Sequence, residues 1–405
     1  MSYEGDNMMG VKRNNRSAAL RILHRQGSMS RKRLSEAIKL TPASITKIVS
    51  EMLAEGLLIE GAAVPSEGAG RREILLQLNP QAGCALGVLI NLRQAILSAV
   101  WLDGSVIFSE QIALPPKADA EEWVPKLAGR LMALVEANEV PRDKLIGLGI
   151  AVRGICSPDE RGVYDSFGAL QQSNVALCSR FEALTGLPTV LANNVRALFA
   201  AELFFSHEAQ TDSALFVRCA SGIGSALSVR GQILSGSRGQ CGEIGHIPVI
   251  RQGGKPCHCG KSGCLETIAS PAAIVTEAQE RFGAAQTPLL FAKRGSREAV
   301  TLYDVLDAAQ GGDRGAAEVS DRAAQALANA LKGTVYLIDP ERIVLYGPLF
   351  DHPYFLSRLK AEMAVGVDAA HAVPMEKSRF NNILENKAAG LLAVAQFLEN
   401  GGFVE

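Results

Sequence analysis

Between Thr41 and Leu53 the apolar residues Ile45, Ile48, Val49, Met52 and Leu53 fall at i, i+3, i+4, i+7 and i+8, which predicts a helix with one buried stripe. Thr41 is placed to cap that helix, and Pro42 suits its first turn. Two further helical patterns precede it. Asn14 to Gln26 carries Ala19, Ile22 and Leu23 on one side and stops at Gly27, and a segment capped by Ser30 turns Leu34, Ala37 and Ile38 inward. After Gly56, the runs Leu57 to Ile59 and Ile74 to Leu78 read as two strands flanking the loop GAAVPSEGAGRRE.

Beyond Asn79-Pro80 the pattern changes to strands alternating with helices. Ala85 to Asn91, Gln94 to Trp101 and Ser105 to Ile112 predict three strands joined by tight turns, one of them Asp103-Gly104. A helix over Glu121 to Ala137 and a short buried strand over Leu145 to Val152 follow. The strand pattern restarts near Ala214 with SALFVRC, GSALSVRG and, at 342 to 347, RIVLYG. Two βββαβα units in tandem would form a two-lobed α/β body with a cleft.

Composition restricts the setting. The 405 residues are 47% hydrophobic and 20% charged, with a net charge of -1. The chain opens without the basic segment and apolar run of a signal peptide, and no apolar stretch reaches the roughly 18 residues needed to span a bilayer. A cytoplasmic chain of two or three domains, with no membrane insertion, is the expectation.

Charge is unevenly placed, because Val11 to Lys47 holds ten Lys or Arg against one acid, Glu36. A basic head on an acidic body points to a polyanionic partner, with double-stranded DNA the leading candidate. On the polar side of the third helix stand Ala43, Ser44, Thr46, Lys47 and Ser50, small or hydrogen-bonding groups suited to a major groove. Arg71 and Arg72, behind a Gly-Ala-Gly, could meet phosphates or a narrow minor groove. Three helices and a basic hairpin together read as a winged helix-turn-helix over residues 1–80.

The chemistry-bearing cluster lies further on. GEIGH, from Gly242 to His246, and CHCGKSGCLE, from Cys257 to Glu266, place His246, Cys257, Cys259 and Cys264 close enough to surround one ion. Gly260 and Gly263 let the backbone turn tightly there. Three thiolates and an imidazole match a closed, structural Zn²⁺ site. The other five cysteines are scattered among apolar neighbours and form no disulfide framework.

These two motifs resemble the signature of the ROK family, the bacterial repressors, open reading frames and sugar kinases built on the actin-like ATPase (RNase H-like) fold. With the winged head, the chain resembles ROK transcriptional repressors of the NagC/Mlc/XylR type. The resemblance implies a first lobe over 81–195, joined by a C-terminal helix at 380–400, and a second lobe with the zinc loop over 196–379. It also implies that Glu243, His246 and Glu266 border a sugar pocket, together with Asn193 and Asn194 of LANNVRA. Carboxylates and amides suit a polyol because they pair with adjacent hydroxyls.

Departures from the kinases count as much as the matches. Where the family's kinases carry an Asp as general base, this chain has Asn194, whose amide has no useful basicity. Their first phosphate loop, Asp-x-Gly-Gly-Thr, aligns with Leu89-Ile90-Asn91-Leu92-Arg93, and the second survives in part as Ala220-Ser221-Gly222-Ile223-Gly224. A Gly-Gly expected beside the adenosine is Tyr346-Gly347. The expected function is therefore not enzymatic. It is regulation of sugar genes by a DNA-binding homodimer or tetramer that answers to a sugar, a sugar phosphate or a regulatory protein.

Overall fold

The computed structural model describes residues 8–65, 72–157, 159–205, 213–366, 372–380 and 382–403. Its contacts divide the chain into two compact units, Met1–His207 with Ile383–Glu405 and Glu208–Asn382. The head segment thus clusters with the first α/β body.

The head opens with α1 (Met8–Gln26), a two-residue strand β1 (Met29–Ser30), α2 (Arg31–Ile38) and α3 (Pro42–Ala54), followed by β2 (Leu58–Val64) and β3 (Glu73–Leu78). Gly27 ends α1 in the left-handed region, at φ 76°. Ser30 caps α2 by accepting from the Arg33 backbone N–H, and Thr41 caps α3 by accepting from that of Ser44. The stripe of α3 is buried at Ile45, Ile48, Val49 and Met52.

Two details differ from the sequence expectation. The sheet has three antiparallel strands in the order β1-β3-β2, because Met29 and Ser30 pair with Leu76 and Leu75. In α2 the buried positions are Leu34 and Ser35, whereas Ala37 is exposed and Ile38 half-buried. The helix stops at Ile38, and the Ser35 hydroxyl turns inward to donate to the Leu40 carbonyl at 2.6 Å.

In the first unit β4 (Cys84–Ile90), β5 (Gln94–Trp101) and β6 (Val106–Ala113) form an antiparallel meander. There follow α4 (Ala120–Ala137), β7 (Leu145–Val152), the short hairpin β8 (Ile155–Cys156) and β9 (Val163–Asp165), α5 (Leu177–Thr185), β10 (Thr189–Asn193) and α6 (Asn194–Phe205). The sheet order is β10-β7-β4-β5-β6, with β10, β7 and β4 parallel. Every residue of β4 is buried, as a central strand covered on both faces requires.

The second unit contains β11 (Ala214–Cys219), β12 (Ile223–Val229), β13 (Gln232–Ile233), α7 (Glu266–Ala269), α8 (Pro271–Glu280), α9 (Pro288–Lys293), α10 (Leu302–Gln310), α11 (Arg314–Ile338), β14 (Arg342–Tyr346), α12 (Pro353–Ala364) and β15 (Met375–Lys377). Its sheet order, β13-β12-β11-β14-β15, repeats that of the first. Each unit thus has a meander on one side and two parallel strands on the other, and each has its own core. Val319, Ala323, Leu327 and Leu331 carry α11 into the second.

The final helix, α13 (Ala388–Glu399), packs on β4 and β7 of the first unit. A Cβ on Gly149 would stand 1.7 Å from the Ala389 carbonyl oxygen, and one on Gly87 would stand 2.5 Å from the Gly390 nitrogen. Helix and sheet approach so closely only because these positions lack side chains. The helix expected over 380–400 begins later, so Ile383 lies ahead of it and is exposed.

Candidate functional site

The metal cluster is built by a knuckle of short backbone bonds. The Cys257 N–H donates to the Lys261 carbonyl at 2.7 Å, and the Gly260 N–H donates back to Cys257 at 3.0 Å. Gly260 and Gly263 sit at φ 83° and 73°, and a Cβ on Gly263 would be 2.1 Å from the Ile250 carbonyl oxygen. Both glycines are therefore required by the turn. The result brings one donor atom each from His246, Cys257, Cys259 and Cys264 within 4.8 Å of one another.

Two separations within the cluster are shorter still. Cys259 Sγ lies 3.6 Å from Cys264 Sγ, and Cys257 Sγ lies 3.6 Å from His246 Nδ1. A tetrahedral ion with bonds of about 2.3 Å to sulfur has edges of about 3.8 Å, so the donor set is already at ligating separation. Burial pushes the Cys257 thiol up and the Cys264 thiol to about 12. Cys259 moves the other way: burial raises it, but the Lys261 backbone N–H and its two thiol neighbours lower it by more. A cation in the middle would supply the positive charge that all three thiolates need.

On the far side of the imidazole, Glu243 Oε2 stands 3.9 Å from His246 Nε2. That is the side of the ring from which an outer carboxylate orients a ligating histidine, here at a distance longer than a direct hydrogen bond. Glu266, at the first position of α7, is engaged at both oxygens. Its Oε2 accepts from the Ile223 N–H at 2.7 Å, and its Oε1 lies 3.2 Å from His258 Nδ1. Sequence reasoning did not single out His258, because its role depends on the fold of the knuckle.

Ile223 belongs to the remnant of the second phosphate loop, so a carboxylate already holds one of the N–H groups that a phosphate would need. A Cβ on Gly222 would meet the same Glu266 oxygen at 2.2 Å. Tyr346 is buried, its ring 5.7 Å from that of Phe216.

In the first unit, Ile90, Val152 and Asn193 are register partners at the C-terminal ends of three parallel strands. Open α/β sheets bind ligands at such an edge. Asn194 follows β10 and is buried, its amide N–H donating to the Asn91 side-chain oxygen at 3.0 Å. Asn193 is fully committed. Its oxygen caps α6 through the Val195 and Arg196 N–H groups at 2.8 and 3.3 Å, and its amide donates to the Gly154 carbonyl at 2.7 Å. The first phosphate loop of the kinases is replaced by a tight β4–β5 hairpin in which the Asn91 N–H donates to Gln94 at 2.9 Å.

On the head, Ala43, Ser44, Thr46, Lys47 and Ser50 are all exposed on one side of α3. Arg72 is exposed beside β3, and Arg71 lies outside the described residues. The ten cations are not all available to a partner. Arg16 is 0% exposed and pairs with Glu55, Lys12 pairs with Glu51 at 3.0 Å, and Arg31 pairs with Glu60 at 2.9 Å.

The ROK family model matches residues 94–396. The chain belongs to the ROK family. The N-acetylglucosamine repressor of Escherichia coli O6:H1 is 29% identical over 344 residues, covering 84% of this chain and 81% of that protein. The DNA-binding transcriptional repressor Mlc of Escherichia coli K12 is 25% identical over 398 residues, covering 97% of this chain and 96% of that one. Among solved structures, a ROK family transcriptional regulator described as a homologue of Escherichia coli Mlc superposes with a TM-score of 0.81 at 26% identity, over 96% of this chain and 97% of that chain. The fold is the ROK, actin-like α/β body with a helical head, and these ROK relatives are regulators of transcription, not kinases. No described helix is long and apolar enough to cross a membrane.

Proposed function

We propose that this ROK protein is a DNA-binding transcriptional regulator that represses genes of sugar uptake or catabolism. The observation that carries the reading is the exposed row Ala43, Ser44, Thr46, Lys47 and Ser50 on a capped helix whose other face is buried. A helix of this kind can lie in a major groove while its own core stays packed. The head then acts as a winged helix-turn-helix, with β2, β3 and Arg72 forming the wing and Arg71 next to it in sequence. A homodimer, or a tetramer built from it, would set two heads on a palindromic operator.

Control comes from a sugar, a sugar phosphate or a regulatory protein acting on the ROK body. Among the effector residues, Asn194, Glu243, His246 and Glu266 are the proposed contacts, and Asn193 positions Asn194 by capping α6. An effector alters DNA affinity only if it favours the arrangement that does not bind DNA, and a coupling of ~1 to 3 kcal/mol would shift operator affinity ~5- to 150-fold. His246, Cys257, Cys259 and Cys264 hold a structural Zn²⁺ that braces the segment carrying Glu243 and Glu266. The Zn²⁺ takes no part in a reaction.

Lys47→Ala and Arg72→Ala test the reading in gel-shift and salt-titration measurements on a DNA fragment selected by the protein. Each should weaken binding, and loss of a phosphate contact should reduce the salt slope by about 1. Unchanged affinity in both variants would remove the head from the DNA interface.

A further inference from the structure

Helix α6 touches chemistry at both of its ends. At the first, Asn194 reaches across to Asn91. Ten residues along, His24 Nε2 of α1 lies 2.9 Å from the Phe204 carbonyl oxygen, and the two rings stand 3.8 Å apart. A carbonyl can only accept, so the imidazole donates. At about 1.5 Å per residue the helix spans roughly 15 Å between these contacts. Most of its length is buried, including Asn194 to Phe199, Ala201 and Glu202.

The α1 helix is also held eight positions before His24. Arg16 Nε donates to the Gly401 carbonyl at 2.8 Å, Nη2 donates to that of Phe403 at 3.1 Å, and the guanidinium fork grips both oxygens of Glu55. Gly401 and Phe403 follow α13, and Glu55 closes α3. One fully buried side chain therefore joins α1, the end of the DNA-facing helix and the chain's last turn. A planar fork held by four hydrogen bonds resists small displacements, since packed interiors shift between discrete arrangements and do not deform continuously.

We propose that α6 and α1 form a mechanical relay, in which the arrangement of the Asn91–Asn194 pair is carried to His24 through Phe204 and onward to α3 through Arg16 and Glu55. The relay rests on the regulatory reading above, and it gives that reading a route from the effector end of the sheet to the DNA-facing helix. Asn194 and His24 belong to separate sites, so coupling between them is a measurable quantity.

The test is a double-mutant cycle in the full-length chain with Asn194→Ala, His24→Ala and the pair. Two readouts are followed: amide hydrogen exchange along α1 and α3, and affinity for the selected DNA fragment. Asn194→Ala should change both by about 5-fold or more in the parent background. In the His24→Ala background the same substitution should change them by less than about 2-fold. Equal effects in the two backgrounds, or unaltered exchange in α1, overturn the relay. Should Asn194→Ala unfold the first unit, Asn194→Ser takes its place in the same cycle. Exchange needs no DNA, so a chain that shows the coupling and binds no fragment overturns the regulatory reading and leaves the relay standing.

Discussion

The Asn194 amide donates to the Asn91 side-chain oxygen at 3.0 Å, at the position where the resemblance to ROK kinases implies a general base. Restoring the acid alone should not restore phosphoryl transfer. In the β4–β5 hairpin Leu89 is buried where the resemblance implies a metal-orienting Asp, and no glycine lets the backbone approach a phosphate. Glu266 also holds the Ile223 N–H. Asn194→Asp is therefore expected to give no ATP consumption above background in a coupled assay with glucose, N-acetylglucosamine or xylose. Sugar-dependent turnover in that single variant would show that the phosphate sites are intact.

Removing one thiolate should remove both the metal and stability. The four donors already stand at ligating separation, and a closed site contributes its binding energy to folding. Cys257→Ser should lower the zinc content from about one ion per chain and the melting temperature together. A variant that is free of zinc yet melts with the parent would refute the structural role. Glu243→Gln should retain the ion with weaker affinity, by the roughly 10- to 100-fold typical of an outer carboxylate on a ligating histidine.

Much of this arrangement was legible in the sequence because the signals were local. Thr41, Pro42 and the stripe of α3 are all read within one helix, and the pleat of β5 was placed to the residue. The spacing of Cys257, Cys259 and Cys264 predicted a cluster because the knuckle closes over a few residues. Long-range pairings were not legible. Arg16 is one of the ten cations counted in the basic head, whereas its carboxylate partner is 39 positions away and its carbonyl acceptors are about 385 away. Likewise, β1 is too short to carry a pattern and exists only because β3 pairs with it. Nothing in LANNVRA distinguishes Asn193 from Asn194, though one is spent on capping and the other faces Asn91.

Glycines buried in strands carry a different message, and Gly149 offers a direct test. Its neighbour in space is the backbone of α13, which cannot rotate aside as a side chain would. Gly149→Ala must push the helix off β7, and overpacking of this kind costs about 1 to 3 kcal/mol. Chemical denaturation of the full chain should show that loss, whereas Gly129→Ala, at a helix position where a Cβ meets nothing within 4 Å, should not destabilise. Equal stability of the two variants would contradict the close approach of α13.

Asp304 provides a pH test in the second unit. Burial alone would raise its carboxyl, but Arg294, Thr301 and Lys293 together hold it well below the usual carboxylate range. Arg294 donates from Nε and Nη2 at 2.8 and 2.9 Å, and the Thr301 hydroxyl and N–H donate at 2.7 and 2.9 Å in a reciprocal cap of α10. A group whose folded pKa is depressed contributes stability above its unfolded value of about 3.9 and loses it as pH falls below that value. Asp304→Asn should therefore destabilise the protein at neutral pH, by about 3 kcal/mol if it behaves as a broken buried pair. The difference from the parent should shrink as the pH is lowered from about 4. Denaturant midpoints measured between neutral pH and pH ~3 would show the two chains converging, and a gap that stayed constant would mean that ionisation of Asp304 contributes nothing to the fold.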